Sequence, residues 1–155
     1  MAPDLREELK QEKPFRSLQQ EAELNLVRTT NVLTDSFEQM LKPYGITGTQ
    51  YNVLRILRGA GAKGLCRNEV SQRLLNRMPD ATRLLDRMED AGLVTRARSS
   101  EDRRLVTTQL TKKGSQLVDS LDSVVEKQHA DQLGHLSDKQ LKTLIEILTA
   151  IRNRS

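Results

Sequence analysis

The chain has no tryptophan, and aromatics make up 3% of its 155 residues. Any core it forms is therefore aliphatic. Cys66 is its one cysteine, so no disulfide closes within the chain, which suits a reducing compartment. No run approaches the roughly 18 consecutive apolar residues of a membrane span. The stretch Met1-Ala2-Pro3-Asp4-Leu5-Arg6-Glu7-Glu8 lacks the apolar core of a signal peptide. The expectation is a cytoplasmic protein with no membrane association. Nucleophilic triads, cysteine-pair metal sites and glycine-rich phosphate loops are missing as well. Gly59-Ala60-Gly61-Ala62-Lys63-Gly64 follows no strand-like segment and lacks the Gly-Lys-Ser/Thr ending, so it reads as a linker. His129 and His135, without a cysteine or a second placed carboxylate, read as surface polar residues rather than a metal pair. These absences point to a binder, not an enzyme, with no cofactor.

Charge is plentiful: 30% of residues are Asp, Glu, Lys or Arg, and the net charge is +4. Its location matters more than its size. Between Arg96 and Lys113 stand six basic residues and two acidic ones, so this segment alone carries the excess of the whole chain. A local basic patch on a nearly balanced chain favours a polyanionic partner.

Length and periodicity suit one mainly helical domain with a small β-ribbon. Residues 1–16 read as a charged arm, with a helical turn at Leu5 to Lys10. Ser17 to Leu41 is a long helix with Leu26, Leu33, Phe37 and Met40 on one face. Thr47 caps a helix that buries Tyr51, Val53, Leu54 and Leu57. Leu65 to Leu75 reads as a short helix with Val70, Leu74 and Leu75 inward. A helix from Met78 to Ala91 follows, with Pro79 in its first turn, Leu84, Leu85 and Met88 on its apolar stripe, and Gly92 as its stop. Two short helices so close together form a helix-turn-helix, the second being the reader. Leu93 to Arg98 and Leu105 to Leu110 then form a two-stranded ribbon around a polar turn. Thr111 opens a helix running to about His129, and Ser137-Asp138-Lys139-Gln140 opens the last one. That last helix carries Leu141, Leu144, Ile145, Leu148 and Ile151 on one side. Such a face needs cover, either from a second copy of the chain or from the long first helix.

Four arginines (Arg96, Arg98, Arg103, Arg104) crowd the ribbon beside a helix that begins near Thr82 and Arg83. This combination suits phosphates and base edges. Thr82 and Arg83 are candidate base readers, while Arg98, Ser99 and Arg103 lie near the ribbon tip. Arg87 either reaches phosphate or pairs with Glu89 or Asp90. Ser71, with Arg67 and Asn68, is placed to contact the nucleic-acid backbone. Asp80 complements a helix N-terminus, repels phosphate, and can accept from a cytosine amino group. Cys66 reads as a small buried hydrophobe rather than a redox sensor.

The order helix, helix, helix-turn-helix, ribbon, two helices resembles the MarR (multiple antibiotic resistance regulator) family of winged helix-turn-helix transcription factors. The resemblance rests on Thr82-Arg83-Leu84-Leu85-Asp86-Arg87-Met88-Glu89-Asp90-Ala91-Gly92-Leu93-Val94, on Glu101-Asp102-Arg103-Arg104, and on Leu110-Thr111-Lys112-Lys113-Gly114. It implies a winged helix-turn-helix over about 46–112 within a domain spanning 17–155, and dimerisation helices over about 17–41 and 113–153. It implies a homodimer on double-stranded DNA, acting as a ligand-responsive repressor at a pseudo-palindromic operator. Asp102 would brace the wing arginine, Arg104. A small aromatic or phenolic effector would sit near Phe37, Tyr44, Tyr51 and Arg55, unless these residues are plain core. Other classes stay open: an architectural DNA binder of low sequence specificity, or a protein-interaction module using the basic ribbon.

Overall fold

A computed structural model describes residues 2–154. They form two compact units, one ending at Tyr44 and the other beginning at Gly45.

The first unit holds α1 (Leu5–Glu8) and α2 (Leu18–Leu41), followed by a 3-10 turn, Lys42–Tyr44. α1 ends earlier than the expected Lys10 because Lys10 takes a left-handed conformation, φ 52°. Ser17 caps α2, its hydroxyl accepting from the Gln20 N–H at 3.1 Å. Leu26, Leu33, Phe37 and Met40 are half-buried, whereas Val27 and Val32 lie exposed on the same helix.

The second unit runs through α3 (Gly48–Ala60), β1 (Leu65–Cys66), α4 (Arg67–Arg73), α5 (Thr82–Asp90), β2 (Val94–Arg98), β3 (Val106–Leu110), α6 (Lys112–Leu133) and α7 (Asp138–Arg152). α3 starts in a capping box: Thr47 accepts from the Gln50 N–H, and Gln50 accepts from the Thr47 N–H. The core joins Val53, Leu54 and Leu57 of α3 to Val70, Leu85, Met88 and Val94, and to Val118, Leu121 and Val125 of α6. Each fully buried side chain of this size contributes roughly 1.5–3 kcal/mol. Arg58 of α3 reaches across to α6, donating to Asp119 at 2.9 Å and to both oxygens of Asp122 at 2.9 and 3.0 Å. No helix among the described residues is long and apolar enough to cross a membrane.

Several boundaries differ from the sequence reading. The ribbon is a three-stranded antiparallel sheet in the order β1-β3-β2. Leu65 and Cys66 do not begin a helix; they pair with Thr108 and Thr107, because the free edge of β3 satisfies their backbone groups. Leu74 is extended (ψ 141°) and ends α4, which turns Leu75 outward at 89% exposure instead of inward. α5 begins at Thr82 rather than near Pro79, because the Asp80 carboxylate accepts the Thr82 N–H at 2.9 Å and starts the helix there. α6 continues past His129 to Leu133.

Two glycines shape the join between reader and wing. Gly92 adopts φ 73° after α5. There the Leu93 N–H reaches the Met88 carbonyl and the Gly92 N–H the Glu89 carbonyl, both at 2.9 Å, closing a Schellman motif. At Gly114, a Cβ would strike the Leu93 carbonyl oxygen, so only glycine lets α6 approach that strand entry so closely.

Candidate nucleic-acid interface

The reading face is built where α5 starts. Arg83 and Arg87 lie one helical turn apart and both are exposed. Among the described residues neither forms a hydrogen bond or ion pair. Thr82 is half-buried and tied on two sides. Its hydroxyl lies 2.5 Å from Asp80 Oδ1 and receives a bond of 3.0 Å from Arg67 Nη1. Those Thr82 bonds, with Arg67 and Arg83 nearby, hold the Asp80 carboxyl below the ordinary carboxylate range. Ser71 spends its hydroxyl proton on the Met78 carbonyl, fastening the turn between α4 and α5.

The wing is fastened from within. The Ser99 N–H donates to the Leu105 carbonyl at 2.8 Å, and the Ser99 hydroxyl accepts from the Glu101 and Asp102 N–H groups at 3.2 and 3.4 Å. Arg98 donates to the Arg103 carbonyl at 2.9 Å. Arg104 forks onto Asp102, with Nε to Oδ1 at 3.1 Å and Nη2 to Oδ2 at 3.2 Å, while its backbone N–H reaches the same carboxylate at 3.0 Å. The Arg104 guanidinium thereby lowers the Asp102 pKa. Arg104 stays 90% exposed, so the pair aims the cation and leaves it facing solvent. The Arg103 side chain is exposed at the same turn.

Arg96, one of the four arginines counted on the ribbon, is engaged within the fold. It lies on β2 in step with buried Val94, and it donates to Asp86 at 2.6 Å and to Glu89 at 3.0 Å, both on α5. These bonds raise the Arg96 pKa and lower that of Glu89. The alternation Val94, Arg96 was the available signal that its side chain shares the inward face of the strand.

A cleft of about 410 Å³ brings Arg67, Asn68 and Thr82 together with Arg96, Arg104 and Leu105, so the starts of α4 and α5 and the returning wing line one depression. Cys66 lies at its edge, half-buried and without a disulfide partner. Among the described residues no cluster of three or more His, Cys, Asp or Glu could hold a metal. The four effector-site candidates divide between the units. Phe37 is half-buried and Tyr44 exposed in the first. In the second, Tyr51 is buried and its hydroxyl accepts from Arg55 Nη1 at 3.3 Å.

A family profile described as MarR family matches residues 44–105. The HTH-type transcriptional regulator FarR of Neisseria gonorrhoeae is 27% identical over 143 residues, covering 90% of this chain and 97% of FarR. A MarR transcription factor from Planctomyces limnophilus is 38% identical, with 88% of this chain and 98% of that one aligned at a TM-score of 0.66. The repressor CouR of Rhodococcus jostii RHA1, solved on a 23-mer DNA duplex, is 28% identical over 83% of this chain and 90% of its own, at a TM-score of 0.71. With reader, braced wing and the long N-terminal helix in the order the sequence implied, this chain belongs to the MarR family of DNA-binding transcriptional regulators.

Proposed function

We propose that this protein is a homodimeric, ligand-responsive repressor. Two copies of α5 would enter successive major grooves of a pseudo-palindromic operator, about 34–36 Å apart. Thr82 and Arg83 would meet base edges, with Arg87 and Asp80 beside them and Ser71 fastening the turn behind. Arg98, Ser99, Arg103 and Arg104 would follow the flanking backbone and minor groove from the wing. The carrying observation is a contrast among arginines. Arg58 and Arg96, which have structural work, are bound to carboxylates, whereas Arg83 and Arg87 stand exposed on α5 with no hydrogen bond or ion pair among the described residues.

Dimerisation through the segments 17–41 and 113–153 is supported by α7. None of its residues is buried, and Leu144, Ile145, Ile147 and Ile151 remain 37–62% exposed. An apolar face of that kind calls for a second subunit. CouR is also known bound to p-coumaroyl-CoA, a phenolic acyl thioester. That supports an aromatic or phenolic effector for this chain as well. It would act by binding one spacing of the two reading heads better than the other.

Selection from a pool of random duplexes at fixed salt tests the proposal. Enrichment of an inverted repeat with half-sites one helical turn apart is the expected result. Equal binding to all duplexes would leave an architectural protein. No binding at low salt would remove DNA as the wing's partner.

A further inference from the structure

Resting on the operator reading above, the geometry points to Asp80 as the residue that decides what Thr82 reads. By holding the Thr82 hydroxyl proton, Asp80 leaves Thr82 only a methyl group and a lone pair to present. That is the complement of a thymine·adenine pair, and it turns away the acceptor edge of guanine.

A threonine hydroxyl has one proton to donate and two lone pairs to accept with. At the start of α5 the proton goes to Asp80 Oδ1, 2.5 Å away, and the same oxygen accepts the Thr82 N–H at 2.9 Å. One lone pair accepts from Arg67 Nη1 at 3.0 Å, while Arg67 Nε stands 3.9 Å from the same Asp80 oxygen. One lone pair and the methyl group remain. The carboxylate does not return the proton, because its surroundings favour the ionised, acceptor-only form.

Guanine offers N7 and O6 to the major groove, and both demand a donor. Thr82 supplies one only by breaking a charge-assisted bond. A thymine·adenine pair carries acceptors too, thymine O4 and adenine N7, but beside them it offers the thymine C5-methyl group and the adenine N6 amino group, which match the methyl and the lone pair. Cytosine matches the lone pair through its N4 amino group but has no methyl group. Arg83, the next residue, remains a donor for the neighbouring base. Asp80 acts through Thr82 and is a positioning residue. Its charge alone would have a different signature, a uniform repulsion of phosphate at every sequence.

Random-duplex selection with the wild-type chain, Asp80→Ala and Thr82→Ser tests this. In parallel, each thymine of the selected half-site is replaced in turn by deoxyuridine, and affinity is measured at fixed salt. For the wild type, one position excludes guanine, and loss of that thymine's methyl group weakens binding about three- to tenfold. Thr82→Ser keeps the hydroxyl and its bond to Asp80 but loses the thymine–uracil difference at that position. Asp80→Ala admits guanine there and keeps the preference elsewhere. If Asp80→Ala fails to fold, Thr82→Ser and the uracil scan can still overturn the inference, since neither removes the bonds between Asp80 and residue 82. Three outcomes overturn the inference while leaving the operator reading intact. They are an Asp80→Ala protein whose affinity changes equally for all sequences, a wild type indifferent to uracil at every half-site position, and a wild type that selects guanine where Thr82→Ser alters the preference. A wild type that enriches no sequence at all overturns the operator reading itself, and this inference with it.

Discussion

The Arg96 guanidinium on β2 lies 2.6 Å from the Asp86 carboxylate on α5, and the same nitrogen reaches Glu89 at 3.0 Å. One arginine therefore fastens the wing to the last turns of the reading helix. Replacing it with methionine keeps the apolar stem and removes the clamp. Arg96→Met is expected to weaken operator binding about three- to tenfold at every sequence, because wing and reader no longer meet DNA in one fixed geometry. The slope of log affinity against log salt is expected to stay the same, since Arg96 neutralises no phosphate. A shallower slope for the variant would place Arg96 on the DNA after all.

Arg83 and Arg103 are expected to fail differently. Arg83 is exposed on α5. If it meets base edges as proposed, Arg83→Ala should cost roughly 1–3 kcal/mol and relax preference at one or two positions of each half-site. Arg103 is exposed at the wing turn, which the proposed function sets beside phosphates. Arg103→Ala should weaken binding at all sequences alike and lower the salt slope by about 1 per subunit. Selection and salt titration on the two variants separate these patterns.

Among the carboxyls that the fold makes more acidic are four tied to the reader, the wing and α6. Bonds from Thr82 lower the pKa of Asp80, and those from Arg96, Arg104 and Arg58 lower those of Glu89, Asp102 and Asp122. A carboxyl more acidic in the folded chain than in the unfolded one stabilises folding above its unfolded pKa. That stabilisation is lost as pH falls through the folded value. The melting temperature is therefore expected to drop once pH passes below about 4.5, the ordinary carboxylate range. In Arg96→Met the Glu89 contribution is gone, so its acid loss should be shallower than that of the wild type. Thermal melts in steps of pH measure both.

Much of this was legible in the residues. Thr47 with Gln50, and Ser137 with Gln140, are local signals, and the structure closes both capping boxes. The start of α5 was misplaced because Pro79 fits a first helical turn equally well, and the deciding bond, Asp80 to the Thr82 N–H, is a matter of side-chain rotamer. β1 escaped because two residues have no periodicity, and Leu65 pairs with Thr108, far along the chain. Counting charge on the ribbon did not show that Arg96 lies on the strand face that meets α5. Asp102 and Arg104 stand two residues apart, and their pairing was the part of the wing that the family resemblance already implied.

Gly114 tests the close approach of α6 to the wing. A Cβ there strikes the Leu93 carbonyl, which is backbone and has no rotamer to yield. Alanine is the better helix former at an ordinary interior position, so propensity alone would make Gly114→Ala stabilising. The steric term should win, with a loss of about 1–3 kcal/mol in urea denaturation. A stabilised variant would mean that α6 and Leu93 separate at little cost.

Ile145 sits on α7 at 62% exposure, beside Leu144 at 37% and Ile151 at 42%. If two chains meet through this helix, an aspartate at Ile145 would place an unpaired charge in an apolar interface, where the desolvation cost is several kcal/mol. Ile145→Asp should then weaken dimerisation at least about 100-fold. Because Ile145 is exposed in the single chain, the fold should keep its helix content. A monomer presents one reading head, so operator affinity should collapse toward that of a single half-site. Sedimentation velocity gives the mass, circular dichroism the fold, and operator titration the affinity. A variant that stays dimeric and binds the full operator as the wild type does would move the dimer contact away from α7. A wild type that sediments as a monomer while protecting a two-half-site operator would mean that the DNA itself assembles the pair.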